Sequence, residues 1–359
     1  MAMTEILIIG GGIAGLSAGA RLAPFAKVTL LEAEDALAYH SSGRSMALYE
    51  ANYGMSSTVA LARASGPFYL EQTDYLSPRG LMVVAKAGED AALASDIKTM
   101  NLEAISVDEA CAKVPILNPE IITGAGYHAA AWDIDTDRMM QDFAKTIRAN
   151  GGEIVTGARA TAISKEPRWC VKTAKRDFEA DLLVNASGAW ADETARLAGV
   201  APIGFLPCRR SVARIPAPGG HAVSGWPMFF GVGEGWYAKP DAGSLCVSPA
   251  EEDPTTPHDA WADDMVLAEG IAQYQEVVTE DVTRVQSNWA GLRTFSPDRH
   301  LVIGHDTAQP DFFWLCGQGG YGFLSAPAAS QLAADLILGR SAELDQDIVD
   351  QLSPKRFAT

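Results

Sequence analysis

The residues whose types and spacing most plainly do chemistry lie between Ile6 and Glu32: Gly10, Gly12 and Gly15 in a G-x-G-x-x-G run, with acidic Glu32 17 positions beyond the last glycine. Each has a physical task in such a run. Gly10 permits the tight turn, Gly12 lets a pyrophosphate approach the backbone, and Gly15 lets a helix pack closely on a strand. Ile13 and Ala14 open that helix, where unpaired N–H groups and the positive dipole end attract phosphate. Glu32 suits a ribose 2′-OH, and its charge repels a 2′-phosphate. The expected ligand is an adenine dinucleotide, FAD or NAD rather than NADP.

Other readings of the same stretch fit poorly. A secretory leader is also apolar and rich in small residues, but no Lys or Arg precedes this run and Glu5 does. The glycines leave no apolar span near the ~20 residues that cross a membrane. The five cysteines (Cys111, Cys170, Cys208, Cys246 and Cys316) are scattered and form no C-x-x-C pair. They read as reduced thiols of a cytoplasmic protein, with no disulfide framework. His300 and His305 have no third ligand at metal spacing, so no metal is expected. A serine-hydrolase elbow, G-x-S-x-G, is also missing.

The formal net charge of −17 in 359 residues tells against a nucleic-acid partner and against an anionic membrane surface. No integral membrane span is expected, although peripheral association stays open. A content of 48% hydrophobic and 20% charged residues describes an ordinary globular enzyme, long enough for two domains.

The elements that must position the glycine turn are strands at Ile6–Ile9 and Lys27–Leu31 with a helix between them. Tyr39–Ser45 reads as a polar loop, 46–64 as a helix or a partly ordered lid, Ser77–Gly80 as a turn, and Leu81–Val84 as a strand. A helix over Arg138–Ala149 is entered through Asp135-Thr136-Asp137 and stopped by Asn150-Gly151-Gly152. Short strands follow at Glu153–Thr156, Thr161–Ser164, Trp169–Thr173 and Leu182–Asn185, the last running into the small residues Ala186-Ser187-Gly188-Ala189. Residues 201–288 alternate, with Trp, Tyr, Phe and Pro, like a mostly antiparallel sheet. Phe312–Cys316 is a strand leading through Gly317–Gly322 into a helix around Pro327–Leu338. The fold class is therefore α/β: a discontinuous Rossmann-like nucleotide domain (1–78, 133–196, 289–359) and a β-rich substrate domain (79–132, 197–288).

With these elements in order, the chain resembles the D-amino-acid oxidase family of FAD enzymes, which includes glycine and sarcosine oxidases. The likeness rests on the opening fingerprint, His40–Ser45, Asn185–Trp190, Gly291-Leu292-Arg293-Thr294 with Pro297-Asp298, and Gly317–Gly322. Within the family it is most similar to bacterial FAD-dependent D-arginine dehydrogenase, through Tyr39–Tyr53, Leu76–Arg79, Asp133–Asp137, Trp226–Met228 and Lys239–Gly243.

The resemblance implies noncovalent FAD held by Gly10, Gly12, Ile13, Ala14, Gly15, Glu32, Ser41, Ser42, Arg44, Ser45, Ala47, Ala160, Gly188, Arg293, Gly319, Gly320, Tyr321 and Gly322. A covalent link would need a cysteine near Gly291–Thr294, and the sequence has none there. It further implies that Arg293 and Arg210 hold the substrate carboxylate, with Tyr53, Tyr237 and the Gly320 backbone in contact. Arg suits that task because its rigid fork meets a carboxylate bidentately. Hydride would pass from Cα to the flavin, and the imine would hydrolyse to a 2-oxo acid and ammonia. The final electron acceptor is O2 or a quinone.

Departures from the arginine-type pattern concern the side-chain pocket of Leu48, Glu50, Leu81, Met228 and Phe230. Leu81 stands where that enzyme has an acid, Leu48 replaces a histidine, Glu50 a threonine, Phe230 a valine and Leu324 a flavin-side glutamine. An apolar pocket of this kind favours neutral D-amino acids. Two alternatives remain: D-Arg or D-Lys recognised through a relocated charge on Glu50, and a secondary-amine oxidase acting on sarcosine-, glycine- or opine-like compounds.

Overall fold

A computed structural model describes residues 3–71 and 74–358. Its central element is a six-stranded sheet in the order Val302–His305, Phe312–Cys316, Leu182–Asn185, Glu5–Ile9, Lys27–Leu31, Glu153–Val155. All pairings are parallel except the edge pair Val302–His305 with Phe312–Cys316. Strands from the start, middle and end of the chain thus lie side by side. Ile6, Leu7 and Ile8 are at most 1% exposed, because helices or smaller sheets cover both faces. The helices Ile13–Leu22 and Gly322–Ile337 pack together on one face.

A second, nine-stranded sheet is almost wholly antiparallel, as 201–288 leads one to expect. Two departures occur. Met228–Gly231 runs parallel to Leu81–Lys86, and Asp264–Gln275 is a helix whose N-terminal amides at Met265 and Val266 donate to the Asp263 side chain. The long pair Leu206–Ile215 and Ser287–Phe295 sets Cys208 opposite Arg293 and Arg210 opposite Gly291.

Other expectations shift in detail. Residues 46–64 divide into a short strand at Leu48–Tyr49 and a helix at Ser56–Ala64. Ser77 and Pro78 belong to the strand Leu76–Pro78, which pairs only with Trp132–Ile134, and such a sheet edge tolerates proline. Asp177–Ala180 forms a strand that the sequence reading did not name. The last long helix begins at Gly322, and Pro327 lies inside it. Pro327 lacks the N–H that would reach the Phe323 carbonyl, which accepts instead from the Tyr69 hydroxyl at 2.5 Å. Among the described residues no helix is long and apolar enough to cross a membrane.

Candidate active site

At the C-terminal end of Glu5–Ile9 the glycine turn takes the shape the fingerprint demands. Gly10 has φ +116°, and a Cβ there would lie 2.3 Å from the Ala186 carbonyl oxygen. A Cβ on Gly15 would lie 1.9 Å from the Gly10 carbonyl oxygen, so only glycine lets this helix approach the strand. Glu32 is 9% exposed. Its carboxylate accepts from Gly11 N–H at 2.7 Å and from Glu34 N–H at 2.8 Å, which fixes it on the turn.

Three adjoining cavities run from this turn into the second sheet. The first is lined by Gly10, Gly12, Glu32, Ala160, Gly188 and Trp190. The second shares Gly12, Ser41, Ser42 and Gly188 with it and continues past Ile13, Ala14, Arg44, Ser45, Arg210, Arg293, Gly319 and Gly322. The third shares Ser45, Tyr237, Arg293 and Gly320 with the second and ends among side chains of the second sheet. Gly15 lines none of them; it acts through the packing of the turn.

The second cavity is built mainly from backbone and from side chains that already have partners. Arg44 reaches the carbonyls of Ala260 and Ala290, both at 2.9 Å, and the Asp259 carboxylate. The Ser41 hydroxyl donates to the Leu292 carbonyl at 2.6 Å. Arg44 and Ser41 therefore hold the loop in place. Behind Met46 and Ala47, buried Lys239 donates to the Ala47 carbonyl at 3.1 Å and pairs with Asp133 at 2.7 Å. Besides Arg293, the buried Thr294 hydroxyl has no partner among the described residues and sits on a residue of this wall. An orphaned donor on a long trough that begins at a phosphate-type turn fits a dinucleotide carrying a polar ring system.

The third cavity brings together Arg293, Tyr53, Tyr237, Gly320, Leu48, Glu50, Leu81, Met228 and Phe230, nine of the ten residues expected for catalysis and the side-chain pocket. The tenth, Arg210, lines the second cavity only. Its guanidinium is engaged by the Glu251 carbonyl at 2.7 Å and the Glu252 carboxylate at 3.2 Å. Burial, then the neighbouring Arg293 charge, push its pKa below the usual arginine range.

Arg293 is the opposite case. Among the described residues its guanidinium has no hydrogen-bond or ion-pair partner, and a Cβ on Gly320 would lie 2.7 Å from its Cζ and Nη1. Burial disfavours its charge, but Tyr237, Tyr53, Tyr321 and Glu252 around it hold its pKa above the ordinary value. The Tyr53 hydroxyl donates to Glu234 at 2.5 Å. Burial and then the Glu234 carboxylate push that phenol well up, so it stays protonated.

Met46, Glu234, Phe323 and Leu324 complete the wall. Glu234 was missed, although the glycine-rich Gly231–Gly235 segment marks a loop that can bring a side chain over an opening. The floor is a row across the sheet: Leu81 is in register with Met228 on one side and with His128 on the other. His128 was also missed, and no local motif marks it. The cross-strand partner of Arg293 is Cys208, and among the described residues no cysteine lines any of the three cavities.

The family model for FAD dependent oxidoreductases (DAO) matches residues 5–336. The chain belongs to this family, and FAD is its cofactor. It is similar to FAD-dependent oxidoreductase domain-containing protein 1 of Bos taurus, at 22% identity over 93% of this chain and 81% of that protein. The fold is that of glycine oxidase from Geobacillus kaustophilus, with TM-score 0.81, 20% identity, and 95% and 97% of the two chains covered. L-proline dehydrogenase from P. horikoshii superimposes equally well, with TM-score 0.83, 22% identity, and 99% and 98% covered. The family model carries the family and the solved structures the fold, while the narrower likeness to D-arginine dehydrogenase rests on the sequence motifs alone.

Proposed function

We propose that this flavoenzyme oxidatively deaminates D-amino acids with uncharged, mainly apolar side chains, using noncovalently held FAD. The observation that carries the reading is Arg293, a cation without an acceptor of its own on the wall of a cavity that is otherwise largely apolar. A buried charge left unpaired is costly, and a substrate carboxylate relieves that cost. The planar fork meets the carboxylate bidentately, and Tyr53 and Tyr237 supply phenols at the same end of the cavity. Gly320 keeps that end free of side chain. FAD held along the second cavity would supply the acceptor for the hydride from the substrate Cα; the amine would lose a proton, and water would convert the imine to a 2-oxo acid and ammonia.

Leu48, Leu81, Met228 and Phe230 receive the substrate side chain. The likeness to D-arginine dehydrogenase supports the D configuration, and the two leucines replace the polar residues that would hold a guanidinium. Arg210 serves the flavin side in this reading, since it lines the second cavity and two of its donors are engaged by Glu251 and Glu252. Anaerobic mixing with D- and L-amino acids and their N-methyl derivatives tests the reading through loss of flavin colour. D-Leu, D-Met and D-Phe should bleach fastest. Faster bleaching by L-isomers, by N-methyl compounds or by D-Arg would overturn it.

A further inference from the structure

The cavity that receives the substrate side chain contains a carboxylate that an apolar pocket should not tolerate. Glu50 lines it and is 2% exposed. Both oxygens are engaged. Oε1 accepts from the Asn52 N–H at 2.9 Å. Oε2 is in close contact with His128 Nε2, off the hydrogen-bond direction, and among the described residues neither atom has a hydrogen-bond partner. The His128 side chain is 12% exposed, so the two groups face each other out of water. His128 closes the row in which Leu81 and Met228 form the floor.

We propose that His128 is a specificity-determining residue: by covering the second oxygen of Glu50 it turns a potential cation site into a pocket for uncharged side chains. A buried carboxylate held only by a backbone N–H attracts any cation that reaches it, whereas the same carboxylate covered by an imidazole has no open oxygen to offer one. Glu50 alone would select a D-lysine-like or D-arginine-like side chain. Glu50 with His128 selects against one, because an incoming cation would have to displace the imidazole. The inference rests on the reading of Arg293 as the carboxylate anchor, and it accounts for an acidic residue in an otherwise leucine-lined pocket.

Hexanoate and 6-aminohexanoate test it as matched ligands. They share the carboxylate and the chain length, differ in one terminal cation, and lack the α-amine needed for turnover. Their dissociation constants can be measured on the FAD holoenzyme by perturbation of the flavin absorbance, without catalysis. The wild type should bind hexanoate more tightly, by on the order of tenfold. His128→Asn should narrow that preference by at least about tenfold or reverse it, and Glu50→Gln/His128→Asn should restore it. The double variant also guards against misfolding, since it removes both members of the contact and leaves no orphaned carboxylate. An unchanged ratio in His128→Asn with full flavin content would overturn the role of His128. A wild-type flavin that responds to neither ligand would overturn the carboxylate anchor, and this inference with it.

Discussion

The two ends of the trough are built on opposite principles. At the cofactor end the charged side chains already have partners within the fold: Glu32 accepts from two backbone amides and Arg44 donates to two carbonyls. Glycines there keep the space open. In the third cavity the walls are side chains, and the one cation, Arg293, has no partner among the described residues. A pre-satisfied frame suits a resident cofactor, which needs a fixed shape. An unsatisfied charge suits a passing substrate, whose binding energy is then concentrated where the chemistry occurs.

Substitutions at the two ends should therefore fail in different ways. The largest effect is expected for Gly15→Val, whose Cβ collides with the Gly10 carbonyl. It should yield colourless or insoluble protein, scored by the 450 nm absorbance per chain; a yellow, soluble variant would break the account of the frame. Leu81→Glu should leave flavin content intact and raise the D-Arg to D-Leu ratio of kcat/KM by about ten- to a hundredfold, as steady-state assays would show. A constant ratio would mean that Leu81 does not face the side chain. Gly320→Ala, whose methyl presses on the Arg293 guanidinium, should raise KM for the best substrate by on the order of tenfold with flavin retained. The smallest change is expected for Tyr53→Phe. It loses the hydrogen bond to Glu234, worth about 1 kcal/mol or a few-fold in kcat/KM.

The same contrast explains what was legible in the sequence. The glycine turn, Glu32 and the flanking strands lie within one contiguous stretch, and backbone constraints leave a local signature, so the cofactor end could be read directly. Arg293, Tyr53, Tyr237 and Leu81 come from separate strands and loops, and only their likeness to a family grouped them. His128 escaped because its significance depends on register: it matters as the cross-strand neighbour of Leu81 and the contact partner of Glu50, and neither fact has a sequence pattern. Arg210 is grouped with the carboxylate by the same family likeness, and its bonds to Glu251 and Glu252 appear only in the fold. The early start of the last helix was hidden by Pro327, whose cost is offset by a hydroxyl from Tyr69.

The claim that Arg293 anchors the substrate carboxylate is tested most directly by anaerobic stopped-flow bleaching of the flavin with D-Leu, comparing wild type, Arg293→Ala and Arg293→Lys at equal FAD content. Arg293→Ala should lower the second-order rate of flavin reduction by about 3–5 kcal/mol, or roughly 10²- to 10⁴-fold. Arg293→Lys should recover only part of that loss, because a lysine lacks the fork. Reduction of Arg293→Ala by D-Leu at close to the wild-type rate would contradict the account.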